Sequence, residues 1–443
     1  MFKLPLQNIF SRLVKIFRSM SNDSQSRNSA YLTVDRLLLS GFGFLFWLLA
    51  ARSNSPGEVG AALSLLGVLG LIGNAGVLGI PTTMTRFLAE EPDQKTFVEL
   101  SILVSFVASL ILSLTWVFVL GSPGSPLKRS SFNDLLSIIG ICAMATGPVA
   151  SSVFVARRRA RFILMKDLLG IVTKFIVLLL VLEQGVKGLL ASQISATCVS
   201  TLAVVVAILH LKRRKRIGFS NALSRLRQLS GFAVWTHAAM LVSIAPNLLM
   251  PAVILSRSGA DSASYVAISM MFLGAVNTIP QSLTTTLIAE ISHNPASPRK
   301  AIMWTLKSIY VAIIPVIIVG MVVAPYLLRL YGSGYQKNAT ACFRLMLIGL
   351  LLTTLNYLSD AVLLVYKRAG YYFVANLTGM ICVFVGVYWS ARSGPTGIAI
   401  GWLIGQAGYL TVSLFCLFVS KVIVRKTSTR SRIRYWSIAH LNQ

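Results

Sequence analysis

One lysine stands in the middle of an apolar run, in RFILMKDLLGIVTKFIVLLL (161–180). Lys174 lies about 12 residues, or roughly 18 Å, into the fifth apolar segment of the chain. From that depth a lysine cannot easily snorkel, so it should face a wet cavity or an anion. Three further charges sit nearer segment ends: the adjacent pair Asp35 and Arg36 in the first segment, and Arg86 in the stretch IPTTMTRFLAE (80–90). Asp360, in the tenth segment, lies about two turns before Lys367. It is either a paired, wet carboxylate or the carrier of a coupling proton or ion. Asn247, Gln281, Asn356 and Asn376 are amides within apolar segments, suited to bonding helices together or to binding a sugar. Cations sharing one cavity would select an anion. Arginine clamps a diphosphate through paired donors, and lysine acts as a point charge. The candidate substrate-binding set is therefore Lys174, Arg36, Arg86, Asn247, Gln281 and Asn356, with Asp360 the candidate for ion coupling.

Catalytic chemistry has little to work with. There is no GxxxxGK[ST] phosphate loop. His210, His237, His293 and His440 stand apart from one another and from every cysteine; His293 follows Glu290 by three residues, which makes neither a metal site nor a triad. Cys142, Cys198, Cys342, Cys382 and Cys416 all fall in apolar segments and read as small packing residues. The longest connection on the side opposite the basic clusters, GSPGSPLKRSSFND (121–134), holds one acid, Asp134. Glu90 and Glu91 read as a solvated helix end. The expectation is a non-enzyme without metal or cofactor.

The elements that must position these residues are membrane spans. Apolar residues make up 55% of the 443-residue chain and charged residues 12%, with a mean hydropathy of +0.73. A soluble core needs far less apolar sequence. At about 20 residues per span, twelve segments can be read: 30–52, 56–80, 97–121, 133–155, 162–182, 186–211, 229–255, 264–290, 303–328, 340–366, 370–391 and 396–421. No alternating strands suggest a barrel. The net charge of +28 invites a nucleic-acid reading, but the position of the charges argues against it. About 29 Lys and Arg fall in the tails and alternate connections, against about 8 on the other side. Arg157, Arg158, Arg159 and Arg161, the run 212–216, and Arg425, Lys426, Arg430, Arg432 and Arg434 carry that bias. It places both termini in the cytoplasm and the clusters against anionic lipid headgroups.

The fold class expected is an all-α integral membrane protein of about twelve transmembrane helices in two six-helix lobes. Residues 1–29 form a basic amphipathic surface helix, with Leu6, Ile9, Phe10, Leu13, Val14, Phe17 and Met20 on one face, and a polar linker. Residues 30–211 and 229–422 form the two lobes, 212–228 a basic connector and 423–443 a basic tail. Six spans per half give a parallel repeat. The repeat is written into the text: IPTTMTRFLAE (80–90) returns as IPQSLTTTLIAE (279–290), one residue longer, at the same end of the second helix of each half. A short turn precedes each copy, RSNSPGE (52–58) and SRSGAD (256–261), and each proline should bend its helix. Gly67, Gly70, Gly73, Gly76 and Gly79 recur every third residue before the first copy, a pattern for close helix packing.

Four stretches carry a family resemblance: SPGEVGAALSLLGVLGLIGNAGVLGIPTTMTRFLAE (55–90), the seventh and eighth segments through YVAI (265–268) and Ile279-Pro280, LYGSGYQKNATACFRLMLIG (330–349), and SGPTGIAIGWLIGQ (393–406). In their order and spacing the chain resembles the polysaccharide-transport branch, of the O-antigen flippase type, of the multidrug/oligosaccharidyl-lipid/polysaccharide (MOP) exporter superfamily. The resemblance implies a MATE/MOP-like fold with alternating access to a central cavity. It implies a bacterial inner-membrane protein that moves a polyprenyl-pyrophosphate-linked oligosaccharide to the outer leaflet for O-antigen, capsule or exopolysaccharide synthesis. A polysaccharide polymerase or ligase is a candidate partner. Asn74 stands where the family often has an acid, which weakens proton coupling at that point. Alternatives are a multidrug or cation exporter of the same superfamily, a lipid II flippase, and a non-transporting scaffold of glycan assembly. A membrane glycosyltransferase or polymerase would want a catalytic acid or a larger outward loop.

Overall fold

The computed structural model describes residues 24–91, 93–120, 131–181, 183–210, 219–293, 298–366 and 368–420. The expected N-terminal surface helix (1–20), most of the loop 121–134, the run 212–216, Lys367 and the basic tail (423–443) lie outside the described residues. Every regular element among the described residues is helical. In chain order these are α1 (Ser24–Ser53), α2 (Pro56–Gly76), α3 (Ile80–Phe87), α4 (Gln94–Thr115), α5 (Ser131–Ala156), α6 (Arg161–Leu180) and α7 (Gly185–Leu209). Then follow α8 (Phe219–His293), α9 (Pro298–Arg329), α10 (Ser333–Val365), α11 (Ala369–Ser390) and α12 (Gly394–Val419).

Among the described residues nine stretches are long and apolar enough to cross a membrane. Two of them, His237–Ile288 and Gly370–Val419, run 52 and 50 residues, enough for two crossings each. Helix α6 has the length of a span but carries Arg161, Lys166, Asp167 and Lys174. With α6 and the two double-length stretches, all twelve segments read from the sequence are accounted for. The protein is an all-α, multi-pass membrane protein.

Two boundaries differ from expectation. Residues 24–29 belong to α1 rather than to a linker, held where the Asn28 side chain accepts a 2.8 Å hydrogen bond from the Ala160 amide. Residues 219–228 continue into α8 rather than forming a separate connector. Helix α8, 75 residues long, is interrupted at Gly259, whose φ of 85° and ψ of 171° are non-helical. Residues on both sides of that break, such as Pro251 and Asn277, line one cavity, so the chain doubles back there into two limbs (219–258 and 260–293).

The two copies of the repeated stretch fold differently. Helix α2 ends at Gly76, and the chain turns through Leu78 (φ 53°) and Gly79 (φ 70°), a left-handed conformation that suits glycine. Helix α3 then restarts with Pro81 in its first turn, where a missing amide hydrogen costs nothing. In the second copy Asn277-Thr278 precede Ile279 and no glycine supplies a break, so Pro280 sits inside the continuous second limb of α8. The expected pair of proline bends is thus a break before Pro81 and an unbroken helix at Pro280.

The lobes meet along α2 and α8. Glu58 and Ser55 cap α2 reciprocally, with Ser55 N donating to Glu58 Oε2 at 2.9 Å and Glu58 N to Ser55 Oγ at 3.3 Å. From that capped end, Gly60 packs on the backbone of Ala260 and Gly67 on that of Leu248; a side chain at either would collide with the facing main chain. Further along, His237 Nε2 donates to the Asn74 carbonyl at 2.7 Å. Gly70 also faces Leu248, whereas Gly73 meets Met144 of α5 and Gly76 meets Ser109 of α4.

At the end that carries the two short turns, α1 also reaches the other lobe. Arg52 Nε donates to the Leu330 carbonyl at 2.5 Å. Phe44 packs edge-on against Phe272 and Tyr331, with centroids 5.2 and 5.5 Å apart. Tyr335 continues the cluster, touching Tyr265 and hydrogen-bonding Ser264 at 2.6 Å. One core spans both lobes here, including Val59, Met250, Ile254, Tyr331 and Tyr335. Toward the opposite end, Leu37 and Leu39 on α1 and Gln281, Ser282 and Thr285 on α8 are exposed.

Candidate functional site

Three adjoining cavities lie between and within the lobes. The first, about 350 Å³, belongs to the N-terminal lobe and is bounded by α1, α2, α5, α6 and α7. Lys174 lines it, its Nζ 4.2 Å from the centroid of the Phe46 ring. That geometry is a cation–π contact, which stabilises the charge without occupying its hydrogen-bond donors. Lys166 and Asp167 on the same helix pair at 2.5 Å and line the same space. Asn74, Gln193, Thr197, Ser200 and Thr201 supply amides and hydroxyls.

The second cavity, about 300 Å³, belongs to the C-terminal lobe. Asp360 lines it with both carboxylate oxygens engaged: Tyr409 donates to Oδ2 at 2.8 Å and Asn376 Nδ2 to Oδ1 at 3.3 Å. Asn356 is buried beside it and donates to Gln406 Oε1 at 2.8 Å. The partners of Asp360 in this lobe are thus neutral donors from α11 and α12; Lys367 lies outside the described residues.

Between these lies a central cavity of about 400 Å³. It shares Met144 and Gln193 with the first and Asn247, Asn277, Gln281, Tyr357 and Trp402 with the second. The three compartments are therefore contiguous across the lobe interface. Gln281 donates to the Tyr357 hydroxyl at 2.9 Å within this wall.

The structure brings Asn247, Gln281, Asn356 and Asp360 together around the second and central cavities, and sets Lys174 in the first. Arg36 and Arg86 line none of the three. Arg36 is exposed on α1, and Arg86 is exposed at the end of α3, its guanidinium 5.2 Å from the centroid of Phe87. Buried Asp35, next to Arg36, instead turns toward Asp167. Sequence reasoning missed Gln193, Asn277, Tyr357, Trp402, Gln406 and Tyr409. Gln193, Asn277 and Gln406 carry the same signal as Asn247, an amide inside an apolar run. Tyr and Trp count as apolar in hydropathy and leave no such mark.

No protein-family model matches the sequence, and no curated protein matches it either. Solved structures do match its shape. An inward-facing multidrug resistance MATE family transporter of the MOP superfamily aligns over 91% of this chain and 100% of its own, with a TM-score of 0.63 and 16% identity. The lipid II flippase MurJ in an inward closed conformation aligns over 88% of this chain and 87% of its own, with a TM-score of 0.64 and 14% identity. A MOP superfamily transporter from Pyrococcus furiosus aligns over 92% and 98%, with a TM-score of 0.52 and 14% identity. At these identities the likeness is one of fold. This chain has the two-lobed helical fold of the MOP superfamily transporters, shared with MATE proteins and MurJ.

Proposed function

We propose that the protein is a flippase that moves a polyprenyl-pyrophosphate-linked oligosaccharide from the cytoplasmic to the outer leaflet by alternating access. The observation that carries this reading is Lys174: a lysine deep in a span, seated over an aromatic ring in a cavity that holds amides and hydroxyls and adjoins a central space with four amides in a largely apolar wall. A diphosphate needs a cation with free donors, and an oligosaccharide needs neutral polar walls. The charge bias of the connections puts the end carrying the 80–90 and 279–290 stretches in the cytoplasm. The lobes then close on each other at the outer end, the arrangement for taking cargo from inside. The membrane is a bacterial inner membrane in this reading, and Asp360 is the group for ion coupling. Arg36 and Arg86 sit where they would meet headgroups rather than cargo.

Deleting the gene tests this. Complete lipid-linked repeats should accumulate on the cytoplasmic face and surface polysaccharide should be lost. The wild-type gene should rescue both, and Lys174→Ala made at normal levels should rescue neither. Unchanged surface glycan, or a block before the repeat is complete, would sink the assignment.

An exporter of organic cations is the second reading, favoured by the Asp360 carboxylate in the second cavity. It predicts drug sensitivity on deletion with intact surface glycan.

A further inference from the structure

The walls of the contiguous cavities hold buried amide oxygens that no group among the described residues donates to. Gln193 Oε1, Asn277 Oδ1 and Asn356 Oδ1 are each buried without a hydrogen-bond partner among the described residues. Gln193 stands where the first cavity meets the central one, Asn277 where the central meets the second, and Asn356 inside the second. A buried acceptor left unpaired costs about 1–3 kcal/mol, so each of these side chains, which line the cavities, gains by turning its oxygen toward a donor there. The side chain of Asn356 is only 2% exposed and its amide nitrogen is already committed to Gln406, which leaves its oxygen to accept.

Two tryptophans border the same path. Trp47 and Trp402 both line the central cavity, and Trp402 extends into the second. Donor-seeking carbonyls beside aromatic faces suit a molecule with hydroxyls on its rim and C–H groups on its faces, which is a pyranose ring. The second cavity also holds the Asp360 carboxylate, which repels anions.

We propose that Gln193, Asn277 and Asn356, with Trp402, form a binding path for the neutral sugars of the cargo, running from the central space into the C-terminal lobe. The diphosphate is confined to the N-terminal lobe beside Lys174. The cargo therefore lies across the lobe interface in one orientation, with its charged end and its glycan in different lobes. This extends the flippase reading and rests on it. A lipid-linked glycan bearing uronic acids would place carboxylates near Asp360 and would be disfavoured.

The test measures binding by the purified full-length protein in nanodiscs, using three probes. These are bare polyprenyl pyrophosphate, the same lipid bearing a neutral tetrasaccharide, and the same lipid bearing a tetrasaccharide with two uronic acids. The neutral glycan should tighten binding about tenfold over the bare lipid, the equivalent of one to two net hydrogen bonds. The acidic glycan should give no such gain. The double variant Asn277→Leu, Asn356→Leu, which alters only side chains outside the cavity that holds Lys174, should lose the neutral-sugar gain while binding bare lipid like wild type. That bare-lipid affinity also shows that the variant is folded. A gain that survives in the double variant, or an equal gain from the acidic glycan, overturns the sugar path and leaves the diphosphate reading standing. Binding of the neutral-glycan lipid with none of the bare lipid overturns the diphosphate reading and supports the path. No binding of any probe overturns both.

Discussion

The two lobes hold their charged groups in opposite ways. In the N-terminal lobe Lys174 rests on the face of Phe46, and the ring contact leaves N–H donors on its far side for other partners. In the C-terminal lobe each oxygen of Asp360 already accepts a hydrogen bond, one from Tyr409 and one from Asn376. A group whose donors are open is built to meet a ligand. A group held on both sides is built to keep its place while something small, a proton or metal ion, comes and goes. In the flippase reading proposed above, Lys174 would meet the charged end of the cargo and Asp360 would serve ion coupling.

Substitutions can break that contrast. The largest effect should come from Lys174→Ala, which in the proposed reading removes the partner of a diphosphate and should lower flipping in proteoliposomes by about 30–100-fold, or about 2–3 kcal/mol. Lys174→Arg should keep much of the activity, since a guanidinium also sits well over a ring. Equal activity of Lys174→Ala and wild type would make the first cavity a packing feature. Asp360→Asn should cost less, about tenfold in transport driven by an imposed proton or sodium gradient, while lipid-linked glycan binding stays unchanged. If binding fell instead, the division of labour between lobes would be wrong.

Substitutions outside the cavities sharpen the contrast by bounding it. Gly67→Val would press a side chain into the Leu248 backbone and should destabilise the protein by about 1–3 kcal/mol, read as a lower melting temperature. Gly70→Ala, whose added carbon would meet only the end of the Leu248 side chain at 3.8 Å, should have little effect. Arg52→Ala should favour opening at the turn end by about fivefold, seen as a longer distance between spin labels on α1 and the α9–α10 turn. The smallest effects belong to Arg36→Ala and Arg86→Ala, each within about twofold in flipping, because an exposed charge contributes about 0–1 kcal/mol.

The architecture was legible because bilayer spans announce themselves through length and apolarity. Even α6 could be read as a span with four charges in it. Lys174 and Asp360 were legible for the converse reason, since charge in an apolar run is rare and costly. Depth, however, does not give facing. Arg36 lies on the same helix as Phe44 and Phe46, which pack inward, yet it points away from the cavities; helical phase against unknown neighbours decides that, and sequence spacing alone does not supply it. The contrast between Pro81 and Pro280 was hidden for a local reason. The break depends on whether Gly79 or Thr278 precedes the isoleucine, and only glycine takes the left-handed turn without strain. Tyr409 and Trp402 escaped notice because their polar edges are invisible to a hydropathy count.

The aromatic cluster at the turn end has a consequence for the cell's energy supply. Phe44, Phe272, Tyr331 and Tyr335 meet where α1 joins the other lobe, and Tyr331 and Tyr335 are 1% and 2% exposed. A respiring membrane holds a voltage worth about 2.3 kcal/mol per elementary charge for each 100 mV. Any wet thread running from such a cavity to the outer face would short-circuit it. Packed rings offer ions no solvation, so in the flippase reading the cluster would insulate electrically, keeping the membrane charged while cargo occupies the cavities.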